Sequence, residues 1–77
     1  MPTKQKQLEF TLEFIERKIK EAKERKAHFA YFNLGMFLDA LGYACTSAIT
    51  PALDALKARG FSWVEIRPNE WNVEFAA

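Results

Sequence analysis

The sequence predicts a small α+β domain: a long N-terminal helix, two shorter helices and a C-terminal β-hairpin. Three observations carry this reading. Leu8, Leu12, Ile15, Ile19 and Ala22 recur at alternating spacings of four and three, the period of one face of an amphipathic helix. Two later apolar stretches each run into a glycine, Gly42 and Gly60, the residue that most readily ends a helix. From Phe61 to Phe75 the period changes to two on either side of Pro68-Asn69, the pattern of paired strands around a tight turn.

The bulk composition bounds the rest. Seventy-seven residues form one domain, 1–77, which at this size buries only about 60% of its unfolded surface. Apolar residues make up 49% of the chain and aromatics 14%, too rich for a disordered segment. Eleven basic and ten acidic residues leave a net charge of +1, without the basic excess usual in a nucleic-acid binder. One cysteine, Cys45, and one histidine, His28, allow neither an intrachain disulfide nor a Cys/His zinc site. No cofactor is expected. The polar start MPTKQKQLEF is unlike a secretory signal, and no apolar run reaches the ~20 residues of a membrane span. These features lead us to expect a cytoplasmic protein that does not enter the membrane.

The first helix is assigned to residues 1–27. Pro2 and Thr3 suit its start, with Thr3 able to cap. Phe10 and Phe14 lie off the Leu8–Ala22 seam and form a second apolar ridge. One ridge can cover the domain's own core while the other meets a partner, so dimerisation through this helix is expected, against simple core packing of both ridges. The run Lys18 to Lys26 is the most basic stretch and reads as a phosphate contact or, more simply, as a solvated helix face.

Residues His28 to Phe32, HFAYF, either continue the helix or form a short strand before Asn33, a natural helix cap. Leu34, Phe37, Leu38 and Leu41 then fall on one helical face that Gly42 closes. Small residues from Tyr43 to Ile49 form a turn. The next helix starts with Thr50 as cap and Pro51 at its first position. The alternative is a start near Thr46, with Pro51 disrupting the second turn. Leu53 and Leu56 face its core side and Gly60 ends it. Val64 and Ile66 share one face of the first hairpin strand, with Trp63, Glu65 and Arg67 on the other. The expected core includes Leu12, Ile15, Ile19, Phe29, Leu34, Phe37, Leu38, Leu41, Ile49, Leu53, Leu56, Phe61, Val64, Ile66, Trp71, Val73 and Phe75.

Leu41-Gly42, the Leu53/Leu56 pair and the Gly60-Phe61 step into a hairpin resemble, over roughly residues 29–75, the winged helix-turn-helix superfamily. The resemblance makes 28–77 a helix-turn-helix with a wing. It implies a small DNA-binding transcriptional regulator, acting as a dimer, whose contacts to double-stranded DNA would be Thr46, Ser47, Thr50, Lys57, Arg59, Arg67 and Asn69. None of the early residues of the would-be recognition helix has the bidentate reach of Arg, Asn or Gln, and Asp54 opposes the phosphates. The alternative is a protein-binding winged helix of phage or mobile-element type that inhibits a host complex, such as a polymerase or a CRISPR effector. Its contacts would be Phe10, Phe14 and Trp63.

An enzyme is the least expected class. The sequence holds no Gly-rich phosphate loop, and Cys45 beside Thr46 and Ser47 has no base placed to activate it. A half-buried small residue is the simpler reading of that cysteine.

Overall fold

The computed structural model describes residues 3–75; the expected part of Pro2 in starting the first helix lies outside them. Helix α1 spans Lys4–Glu24, strand β1 Phe29–Asn33 and helix α2 Leu34–Leu41. A 3-10 segment, Tyr43–Ala48, runs directly into α3, Ile49–Lys57, followed by strands β2, Ser62–Arg67, and β3, Glu70–Glu74. The strands form one antiparallel sheet in the order β1-β3-β2, and the helices pack against one face of it.

The element ends follow local chemistry. Thr3 caps α1, accepting the Lys6 N–H at 3.2 Å, and Asn33 caps α2 by accepting the Met36 N–H at 2.9 Å. After α2, Gly42 takes φ 77 and ψ 176, a backbone region that only glycine visits cheaply. After α3, Phe61 N–H donates to the Leu56 carbonyl and Gly60 N–H to that of Lys57, with Gly60 at φ 90; these are the paired bonds of a Schellman cap. The same pair of bonds closes α1, from Ala27 to Ala22 and from Lys26 to Lys23. There the left-handed position, at φ 61, is held by Lys26. At the hairpin, Asn69 at φ 65 supplies the positive φ that the turn after Pro68 requires.

The start of α3 differs from both readings of the sequence. Thr50 does not cap it; the helix grows out of the 3-10 segment with Ala48 at its N-cap and no side-chain cap. Pro51 then sits in the first turn, where its missing N–H would have had no intrahelical partner, so the helix is not disrupted.

The core centres on four aromatic rings from four elements. Phe14 of α1 meets Phe37 of α2 edge-on, with centroids 5.3 Å apart, and Phe32 of β1 at 6.2 Å. Phe32 stacks on Phe37 at 5.6 Å, and Phe37 meets Trp71 of β3 at 5.8 Å. Ile15, Ile19, Ala52, Leu53, Leu56 and Val73 are buried around them. Thr11 is fully buried, and its hydroxyl donates to the Gln7 carbonyl at 2.7 Å, which satisfies that buried polar group within its own helix.

Two expectations are corrected here. Phe14, expected on the ridge left for a partner, is 5% exposed and belongs to the core. Phe29, Val64 and Ile66, expected in the core, are exposed. The reason is strand parity. Ala30 pairs with Val73 and Phe32 with Trp71, and all four are buried, so Phe29 and Tyr31 must point outward. Likewise Trp63 pairs with Val73 and Glu65 with Trp71, whereas Val64 pairs with the outward Asn72.

Two measurements test this packing. Leu53→Ala should lower unfolding stability by about 2–5 kcal/mol in chemical denaturation, because Leu53 is fully enclosed; a loss under about 1 kcal/mol would remove α3 from the core. Lys26→Gly should raise stability by about 0.5–1 kcal/mol by relieving a left-handed lysine, net of glycine's greater unfolded entropy. A lower melting temperature would contradict the cap geometry.

Candidate functional site

The seven residues that the winged-helix resemblance assigns to DNA fall into three places. Ser47, Thr50 and Lys57 are exposed on the outer side of the 3-10 segment and α3. Thr46 is half-buried, and its hydroxyl donates to the Tyr43 carbonyl at 2.9 Å within the 3-10 segment. The Lys57 ammonium lies 3.7 Å from the Asp54 carboxylate and 5.4 Å from the centre of the Trp63 ring. Arg59 turns away, forming an ion pair with Glu16 that ties the end of α3 to α1. Arg67 and Asn69 lie at the hairpin tip. Arg67 pairs across the ladder with Glu70. The Asn69 N–H donates to Glu65 Oε2 at 3.3 Å, and its carbonyl accepts the Leu34 N–H at 3.0 Å. Asn69 therefore anchors the hairpin tip to the start of α2.

A groove beside α3 is lined by Lys4, Gln5, Leu8, Ser47, Ala48 and Pro51. Sequence reasoning missed Lys4 and Gln5 as neighbours of this face, since the only local signal was the Thr3 cap that places them in the first turn of α1. Only the packing of α1 across the start of α3 brings them there.

The expected protein contacts also separate. Phe10 is exposed, beside Glu13, Arg17 and Leu41. Phe14 is in the core. Trp63 is half-buried on the inner side of the sheet, under Lys57. Of the two ridges read on the first helix, the Leu8–Ala22 seam is largely used internally, with Ile15, Ile19 and Ala22 buried in the chain's own core. Part of the basic run is also engaged: Lys23 lies 5.0 Å from the Phe61 ring centre and 5.6 Å from that of Phe75, and Lys18 lies 3.8 Å from Glu21.

The outer face of the sheet was not anticipated as a surface. Its central strand, β3, presents Glu70, Asn72 and Glu74 outward. Phe29 and Tyr31 of β1 flank them on one side and Val64 of β2 on the other, with Ile66 exposed at the β2 bulge. The Tyr31 hydroxyl donates to Glu70 Oε1 at 2.6 Å, a short charge-assisted bond. Asn72 is half-buried on this face, and its Oδ1 is itself buried, with no hydrogen-bond partner.

The charges segregate as well. Between Lys4 and Lys26 there are eight basic and five acidic side chains; between Ser62 and Phe75 there are one arginine and three glutamates. No helix among the described residues is long and apolar enough to cross a membrane. Nor do they place three His, Cys, Asp or Glu side chains to hold a metal ion. Cys45 is buried.

The two ridge phenylalanines should respond oppositely to truncation. Phe14→Ala should cost about 3–5 kcal/mol in chemical denaturation, whereas Phe10→Ser on the exposed side should change stability by less than about 0.5 kcal/mol. Equal losses would contradict the orientation of α1. Comparison of the chain with protein-family models, curated proteins and solved structures finds no match.

Proposed function

We propose that this chain is a non-enzymatic, winged helix-turn-helix-like binding module whose partner is a protein. The observation that carries the reading is the distribution of exposed side chains. Six large apolar residues, Phe10, Phe29, Tyr31, Tyr43, Val64 and Ile66, stand open to solvent. Phe29, Tyr31 and Val64, with Ile66 at the bulge, gather on the outer face of the sheet, while Phe10 and Tyr43 stand on the helical elements; on a domain this small, exposed apolar groups gathered on one face mark an interaction surface. On the DNA side, Lys57, Arg59 and Arg67 each lie beside or opposite a carboxylate, and no side chain at the start of α3 has bidentate reach to a base. The module would act by occupying a surface of a larger complex.

A second reading, DNA binding, draws support from the element order helix–strand–helix–helix–hairpin and from Ser47, Thr50 and Lys57 sharing the open side of α3. Salt dependence separates the two. With random-sequence duplex DNA we expect no binding tighter than about 100 μM even at about 50 mM salt. Micromolar binding that falls steeply by about 200 mM salt, and that Lys57→Ala weakens, would overturn the protein reading in favour of DNA.

A further inference from the structure

We propose that the outer face of the sheet docks a cationic amphipathic helical segment of a partner protein. The inference rests on the protein-partner reading above and deepens it. Basic residues of the segment would meet Glu70 and Glu74 on the central strand, while its apolar flanks would meet Tyr31 on one side and Val64 on the other.

The register defines the surface. Tyr31, Asn72 and Val64 form one row across the three strands, and Phe29 and Glu74 lie in the next. The third row holds Asn33, Glu70 and Arg67, so the face carries two glutamates along its central strand against one arginine at one end, with Phe29 and Tyr31 on one apolar margin and Val64 on the other. Neighbouring strands are about 4.8 Å apart, so the margins stand roughly 10 Å from each other, the width of an α-helix with its side chains. Glu70 and Glu74 are four residues apart on one strand, or about 13 Å. Basic side chains two to three helical turns apart, about 11–16 Å, span that distance.

Charge selects among the possible occupants. A second copy placed face to face brings together two faces that each carry two glutamates against one arginine, a net like charge that disfavours association. Nucleic acid and anionic lipid headgroups would meet the same carboxylates with the same sign of charge. A polypeptide carrying Lys or Arg is attracted by them. The Tyr31 bond to Glu70 holds one carboxylate in place beside the apolar margin without removing its charge, so the surface is partly ordered before anything binds.

The test uses the full chain labelled with nitrogen-15 and a leucine–lysine peptide of helical period, about four turns long, with a leucine–glutamate peptide as control. We expect amide shifts centred on Tyr31, Val64, Asn72 and Glu74 with the lysine peptide and none with the glutamate peptide. Glu74→Lys, on an exposed side chain, should weaken binding about five- to tenfold while leaving the melting temperature unchanged. Val64→Ser provides an independent variant with the same expected direction. Shifts centred on Phe10 and Leu41 would overturn the sheet assignment and leave the protein-partner reading standing. Absence of shifts, or concentration-dependent self-association through the sheet, would also overturn the assignment. Phosphate-type binding of duplex DNA through α3 would overturn the protein-partner reading itself.

Discussion

The packing of Phe14, Phe32, Phe37 and Trp71 against one another sets the rest of the structure. These rings come from α1, β1, α2 and β3 and meet within 5.3 to 6.2 Å. Close edge-on and stacked contacts of this kind are worth more than their buried area alone. Their larger effect is geometric. Turning Phe32 and Trp71 inward fixes which side of each strand is inside, because side chains alternate along a strand. Phe29 and Tyr31 then have no place in the core, and neither does Val64. The exposed margins of the sheet are thus a consequence of how the buried rings pack.

Charge placement follows the same division. The middle strand must turn Glu70, Asn72 and Glu74 away from Trp71 and Val73, which puts two carboxylates at the centre of an apolar surface. The basic residues concentrate on α1, where Lys23 covers Phe61 and Phe75 and Arg59 reaches across from α3 to Glu16. Residues that a sequence reading would send to phosphates therefore help to join α1 to the α3–β2 connection. A small domain has little surface to spare, and its long charged side chains cover apolar stems and rings as well as meeting solvent.

Much of the architecture was legible because its signals are local. Thr3, Asn33, Gly42, Gly60 and Pro68-Asn69 mark element ends through capping and turn chemistry that depends on a few neighbouring residues. The orientation of the elements was harder to read. The buried face of α1 runs Thr11, Phe14, Ile15, Ile19 and Ala22. A threonine that hydrogen-bonds to its own helix, and a half-buried Lys18 on the same stripe, hide that face from a pattern of apolar residues. Strand β1 carries aromatics on both sides, Phe29 and Tyr31 outward and Phe32 inward, so alternation alone does not choose between them. The same holds in β2 for Trp63 against Val64 and Ile66. The 3-10 lead into α3 left no recognisable cap, which is why neither proposed start of that helix matched. Lys4 and Gln5 came beside Ser47 and Pro51 only through tertiary packing.

The four rings make the helices and the sheet one cooperative unit, which holds the outer sheet face in place. Native-state hydrogen exchange of the full chain tests this cooperativity most directly. The amides of Ile15 in α1, Phe37 in α2 and Trp71 in β3 should exchange with one shared opening free energy, equal to that of global unfolding. If Ile15 exchanged at a clearly lower free energy than Trp71, α1 would open independently of the sheet, and the aromatic cluster would not be what holds the fold together.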